Sequence, residues 1–122
     1  MKRDNNLILS CSSLSDTKVK NEADETIGHI KDIMIDVNTG EVMYAVLSVD
    51  TGFLNLESKY FAIPLQSMRF DTSRENAVMD VSKERLKKSP GFDKSDWPDH
   101  PQIKFIDEVY SFYGVTRSEP AI

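Results

Sequence analysis

The most constraining feature of this sequence is the run of residues 42–49, which is apolar at almost every position. A strand that is apolar on both faces must be covered on both sides, because an exposed apolar face is unfavourable in water. One cover can be the interior of a small barrel. The other must come either from the C-terminal part of the chain or from a second subunit.

The segment before this run predicts its antiparallel partner. Residues 26–37 read as a long strand whose odd positions from 33 to 37 are apolar and share one face. Gly40 lies in the linking turn, where a left-handed backbone closes a hairpin. Next to Gly28 the apolar positions change phase, which predicts a bulge that bends the strand.

The remaining turn and helix-boundary residues divide the chain into three parts. We predict a flexible tail over 1–11, a β domain over 12–81, and a helical and loop extension over 82–122 that packs on the barrel or on a partner subunit. Further strands are expected at 18–20, 59–63, 68–71 and 77–81. Helices are expected at 83–89, with Ser82 as the N-cap, and at 101–113, with Gly114 as the stop.

Composition excludes several classes of function. The chain carries 20 acidic and 15 basic residues, for a formal charge of -5, whereas nucleic-acid binders usually gather a basic face. No apolar run approaches the roughly 18 residues of a membrane span, and the start is too polar for a signal peptide. The single cysteine, Cys11, permits no internal disulfide and suits a reducing cytoplasm. We therefore expect a soluble cytoplasmic domain.

Four stretches resemble the PRC-barrel family, and in particular its stand-alone bacterial members. They are 25–36 (ETIGHIKDIMID), 39–48 (TGEVMYAVLS), 60–64 (YFAIP) and 83–93 (KERLKKSPGFD), the last followed by DWP at 96–98. The resemblance implies a mainly β fold: a small, strongly bent β-barrel with a C-terminal helical extension. It also implies use as a protein adaptor, and it supplies no catalytic motif.

The acidic loop after residue 91 contains the candidate metal ligands Asp93, Asp96, Asp99 and His100. Hard cations bind clustered carboxylates, but the spacing is not that of an EF-hand, and aspartates in such a loop commonly cap turns. The cap interpretation is favoured, so we predict neither a metal nor a cofactor. No nucleophile and base have a credible spacing either, and the chain is predicted not to be an enzyme.

Association is the function that the residue pattern favours. Two apolar surfaces, the 42–49 strand and the 101–113 helix, predict a homodimer and an adaptor with an unidentified protein partner. The interface candidates are Tyr44, Val46, Trp97, Phe105, Val109 and Phe112. Two alternatives stay open: a small-molecule or divalent-metal sensor, and an accessory factor in RNA processing or ribosome maturation.

Overall fold

The computed structural model describes residues 8–55, 58–98 and 102–116. Its fold is mainly β, as predicted. The seven strands are β1 Lys18–Lys20, β2 Thr26–Asp36, β3 Glu41–Val49, β4 Lys59–Ile63, β5 Arg69–Asp71, β6 Asn76–Val78 and β7 Gly91–Asp93. The helices are α1 Cys11–Leu14, α2 Lys83–Lys88 and α3 Ile103–Tyr113, with a 3-10 turn at Leu65–Ser67.

All seven strands form one sheet in the order β5-β6-β1-β2-β3-β4-β7. The β1–β6 pair is parallel and the other neighbours are antiparallel. Register shifts in the β1–β2 and β2–β3 pairs bend the sheet, as bulges do. Within the described residues β5 and β7 remain edges, so the predicted barrel is a curved sheet that is not closed.

The β2–β3 hairpin confirms two predictions and corrects a third. Gly40 has a φ of 78°, and the bulge predicted beside Gly28 is present as a register shift in the β1–β2 pair, where Val19 is opposite Gly28 and Lys20 is opposite Thr26. Gly28 also permits a close approach of β3, since a Cβ there would lie 1.9 Å from the carbonyl oxygen of Ser48. The apolar face predicted for the odd positions of β2 holds only at Ile33. Ile35 is 44% exposed and Val37 88% exposed. The cause is that the hairpin extends past β4, which pairs only with residues 45–47 of β3.

Strand β3 separates two apolar clusters. We call the first the inner core; it takes Ala45, Leu47 and Val49 from β3 and includes residues from β1, β2, β4 and α2. We call the second the outer cluster; its buried members are Met43, Tyr44, Val46, Ala62, Ile106, Val109 and Tyr110. Because the last three belong to α3, the second cover of the apolar strand comes from the same chain.

The longer helices begin and end where local chemistry requires. The Ser82 hydroxyl accepts a hydrogen bond from the Arg85 amide at 3.1 Å, and α3 stops at Gly114, whose φ is 65°. Both features confirm the sequence predictions, although the predicted first residue of α3, Pro101, lies outside the described residues. Helix α1 and strand β7 were not predicted. Among the described residues no helix combines the length and apolar character needed to cross a membrane.

Candidate docking groove

An open groove of 640 Å³ lies between β7 and the first two turns of α3. Its apolar lining includes Phe92 from β7, Trp97 and Pro98 from the following loop, and Ile103 and Phe105 from α3. Ile103 is 65% exposed, which is unusual for a large apolar side chain beside other apolar groups. The groove is thus an apolar surface that the described residues leave accessible.

Strand β7 holds Phe92 in the groove because it pairs closely with β4. Phe92 is opposite Tyr60, and Gly91 is opposite Phe61. A Cβ at Gly91 would lie 2.3 Å from the Tyr60 carbonyl oxygen, so only glycine allows this approach. Gly91 therefore starts β7 two residues after the C-cap of α2, Ser89.

The aromatic side of the groove is a set of rings packed at steep angles. Trp97 lies 5.1 Å from Phe92 and 5.3 Å from Tyr60, measured between ring centroids. Phe105 lies 6.4 Å from Phe92 and 5.7 Å from Tyr44. These separations are typical of favourable edge-to-face contacts, so each ring restrains its neighbours. These rings therefore form a continuous wall along the groove.

Hydrogen bonds fix α3 against the sheet. The Tyr110 hydroxyl donates to the Met43 carbonyl oxygen at 2.7 Å, and the Tyr44 hydroxyl donates to Gln102 Oε1 at 2.7 Å. Burial raises the pKa of Tyr44 to about 12, so the phenol stays neutral and remains a donor. At the other end of α3, the Arg85 guanidinium donates to the Phe112 carbonyl oxygen. The helix is therefore held near both ends.

Charged side chains lie around the apolar floor. Asp96, Lys104 and Glu108 border the groove, and Lys104 and Glu108 are exposed on the same helix. Asp93, the last residue of β7, is exposed; its carboxylate accepts hydrogen bonds from the Ser95 amide and hydroxyl, which lower its pKa. Lys94 lies with its ammonium 5.0 Å from the Tyr60 ring. Of these charged residues, Asp96, Lys104 and Glu108 line the groove, so its border carries both signs of charge.

Comparison with known families places this architecture. The sequence model for the PRC-barrel domain matches residues 8–86. The chain belongs to the PRC-barrel family. In a comparison with curated protein sequences, none matches.

The extent of the PRC-barrel match is informative for the groove. Residues 8–86 contain β1 to β6 and end within α2, so β7 and α3 lie beyond the matched domain. Every apolar side chain that lines the groove comes from this extension. The PRC-barrel part contributes the supporting rings of Tyr44 and Tyr60 from beneath.

The six predicted interface residues fall into two groups. Tyr44, Val46 and Val109 are buried between β3 and α3 within one chain. Trp97, Phe105 and Phe112 are half-buried, and the first two line the groove. Because the two surfaces assigned to association cover each other, the accessible members of the predicted set are Trp97, Phe105 and Phe112.

The predicted ligands in the acidic loop are only partly described. Asp93 caps the turn that contains Ser95, while Asp96 borders the groove. Asp99 and His100 lie outside the described residues. Among the residues that are described, no three histidine, cysteine or acidic side chains are placed to share a metal ion.

Sequence reasoning missed Phe92 and Ile103 as site residues. Phe92 belongs to a three-residue strand whose partner, β4, lies about thirty positions earlier, and such pairing leaves no local pattern. Ile103 is one of the apolar residues of the predicted helix. It lies in the first turn of α3 and is not a member of the outer cluster that packs on the sheet. The available signal was that Phe92 and Ile103 are apolar residues at the two ends of the loop that contains Pro98 and Pro101.

A second groove, of 460 Å³, lies between α1 and the β5–β6 turn. It is lined largely by hydroxyl and carboxylate groups, including Ser13, Asp16 and Glu75. Asp71, which also lines it, accepts hydrogen bonds from the Ser73 and Arg74 amides and so stabilises the turn itself. At Asp71, then, the lining shows the chemistry of turn formation.

Proposed function

We propose that this chain is a non-enzymatic protein-interaction module, an adaptor, whose partner binds at the groove between β7 and α3. The single observation that carries the proposal is the exposed Ile103 beside the half-buried rings of Trp97 and Phe105. Interface centres are enriched in tryptophan and other aromatic residues, and their energy comes from burying such anchors. The rigid ring wall supports it further, since side chains that are already restrained lose little entropy on binding.

The experiment is site-specific photo-crosslinking in cells. A photoreactive amino acid at position 103 is expected to capture a defined partner protein, because the side chain borders the groove. The same group at position 37 is the matched control, since Val37 is also an exposed aliphatic residue and lies at the far end of the β2–β3 hairpin. Identical products from the two positions, or none from position 103, would contradict docking at the groove.

A second variant tests the role of the ring wall. Trp97→Ala in the position-103 background is expected to abolish the specific product, because the half-buried indole is the largest group in the groove. Circular dichroism of the purified variant checks that the sheet remains folded. A product that persists at wild-type yield in a folded Trp97→Ala chain would argue that the partner binds elsewhere.

The homodimer predicted from the sequence belongs to the same proposal, as does a location in the reducing cytoplasm. Phe112 is the residue used to test self-association, because it is half-buried near the end of α3 and does not line the groove. Native mass spectrometry is expected to give twice 13.9 kDa and to give the monomer mass for Phe112→Glu. A monomeric wild type would remove the dimer and leave the adaptor proposal intact.

A further inference from the structure

The second groove, between α1 and the β5–β6 turn, is lined by a polar group that the fold does not use. Asn76 is only 8% exposed, and its side-chain Oδ1 accepts no hydrogen bond from any described residue. Asn76 is opposite Asp71 in the β5–β6 pair, and opposite residues share a face, so its side chain lies on the same side of the sheet as that groove-lining carboxylate. Because buried polar groups in folded proteins are nearly always paired, this oxygen is an acceptor that a ligand can use.

The charge of the second groove is negative. No lysine or arginine is among the described residues that line it, whereas the carboxylates of Asp16 and Glu75 do, and neither forms an ion pair within the described part of the chain. The cation of the turn, Arg74, lies with its Nε 3.8 Å from Asp71. Lys18, in the adjacent β1, is exposed and does not line the groove. A ligand of positive charge is therefore favoured.

The apolar part of the lining narrows the choice of cation. Leu9 and the half-buried Phe70 offer a surface for methylene groups, and the volume of 460 Å³ is in the range of small-ligand sites. An alkylammonium combines such a chain with three N–H donors and no acceptor, which matches the acceptors of the groove. A metal ion fits less well, because no three acidic, histidine or cysteine side chains among the described residues are placed to share one.

We propose that the second groove binds the ammonium group of an alkylamine, with Asn76, Asp16 and Glu75 as its acceptors. Two sources carry this chemistry, a free polyamine and a lysine side chain, and the probes below distinguish them. The inference is independent of the docking groove, because no described residue lines both. It predicts that affinity falls with salt, because the attraction between exposed charges is screened.

The test is a titration of the full, nitrogen-15-labelled chain with n-pentylammonium at low ionic strength, followed by NMR. Saturable shifts are expected for amides of residues 13–17 and 70–76 and for the side-chain amide of Asn76. The control ligand is 1-pentanol, which has the same chain length and no charge, and it is expected to leave these resonances in place. Equal shifts from the two ligands, or shifts spread over acidic residues elsewhere, would overturn the proposal.

The role of charge is tested at Asp16. Asp16→Asn is expected to weaken n-pentylammonium binding at least fivefold, and asparagine tolerates the left-handed backbone found there, with a φ of 67°. Asp24→Asn is the matched control, because it makes the same change at an exposed aspartate with a φ of 64° that does not line the groove. The control is expected to change binding less than twofold. Equal effects of the two substitutions would contradict a site at the groove.

Asn76→Leu separates ligand binding from a structural role. Leucine branches at the same atom as asparagine but has no polar group, and the Oδ1 that it removes pairs with no described residue. Stability in urea is therefore expected to be unchanged or higher, while n-pentylammonium affinity falls at least tenfold. A less stable variant that binds normally would show that Asn76 serves the fold, and the proposal would be wrong.

Two further probes identify the source of the ammonium group. Spermidine represents a free polyamine, and N-α-acetyl-lysine N-methylamide represents a lysine side chain. Spermidine binding more than tenfold tighter than that of the lysine derivative indicates a polyamine site, and a smaller difference indicates a lysine side chain. The lysine derivative acetylated at its ε-nitrogen keeps the chain without the charge. Binding of this neutral derivative with unchanged affinity would overturn recognition of an ammonium group.

Discussion

The inner core and the outer cluster lie on opposite faces of β3 and are built from different parts of the chain. Buried members of the inner core run from Val19 to Leu86, entirely within the part matched by the PRC-barrel family. The outer cluster combines four PRC-barrel residues with Ile106, Val109 and Tyr110 of α3. One face of the strand thus belongs to the family fold, while the other depends on what this chain adds.

The two clusters are also held together differently. The buried members of the inner core are all aliphatic, phenylalanine or methionine side chains, which specify volume more than orientation. In the outer cluster the Tyr110 and Tyr44 hydroxyls donate to defined acceptors, which fix one position of the helix. The comparison indicates that the family core provides stability, and that the extension provides the shaped surface beside it.

The largest loss of stability is expected from a substitution at Gly28, where β2 lies in close contact with β3 beside the inner core. Gly28→Ala places a Cβ 1.9 Å from the Ser48 carbonyl oxygen, a backbone atom that cannot move without separating β2 from β3. We expect a loss of about 3 kcal/mol or more in the free energy of unfolding. Urea denaturation followed by circular dichroism measures it. Gly52→Ala is the control, because nothing lies within 4 Å of its added Cβ.

Gly91→Ala makes the corresponding test in β7, which belongs to the extension and not to the family core. Its Cβ would lie 2.3 Å from the Tyr60 carbonyl oxygen, so β7 must move away from β4. The Cβ would also lie 3.3 Å from the ring of Phe61, a buried inner-core residue, so some loss of stability is expected there. Because the inner core contains no residue of β7, the circular dichroism of the sheet is still expected to survive while the fluorescence of Trp97, the single tryptophan, changes. Simultaneous loss of both signals would show that the two clusters form one cooperative unit.

These two glycines also show what the sequence could predict. Gly28 was identified because the apolar phase changes beside it, which is a local signal within one long strand. The contact of Gly91 with β4 was missed, because it depends on a strand about thirty residues away. Local periodicity and turn chemistry therefore predicted the hairpin, the Ser82 cap and the Gly114 stop, whereas long-range pairing at the sheet edge left no trace in the pattern.

The candidate site was predicted in part for the same reason. Trp97 was selected because tryptophan is enriched at interface centres, and Phe105 because the 101–113 helix is more apolar than a single contact requires. Tyr44 and Val109 were selected as association surfaces, yet the sequence could not decide whether strand and helix cover each other or a second subunit. That choice depends on the path of the loop between β7 and α3, and periodicity carries no information about this path.

The next effect is an alkaline loss of stability that arises in the outer cluster. Burial raises the pKa of Tyr44 to about 12, while a tyrosine in the unfolded chain titrates near ~10. The native state therefore keeps a proton that the unfolded state has lost. Stability is complete below about pH 10 and falls as the pH rises towards about 12, by about 2 kcal/mol. Denaturant titrations at a series of alkaline pH values measure this slope.

Tyr44→Phe is the control for the alkaline slope. The variant has no phenol to ionise, so its stability is expected to fall less steeply between about pH 10 and 12. Burial also raises the pKa of Tyr113, so part of the slope is expected to remain. The comparison uses slopes and not absolute stabilities, since the variant also lacks the bond to Gln102. An unchanged slope would contradict the assignment to Tyr44.

The smallest effect is expected from removing one hydrogen bond of α3. Tyr110→Phe keeps the ring in the outer cluster but loses the donor to the Met43 carbonyl oxygen, and one buried hydrogen bond contributes about 1 kcal/mol. If the family core folds independently of α3, this loss appears in hydrogen exchange of α3 amides and not in those of β1 and β2. Equal acceleration in the helix and in the inner strands would instead mean that α3 is released only by global unfolding. The outer cluster would then contribute to the stability of the whole domain as the inner core does. The conclusion that the inner core provides the stability, while the extension provides only the shaped surface, would be wrong.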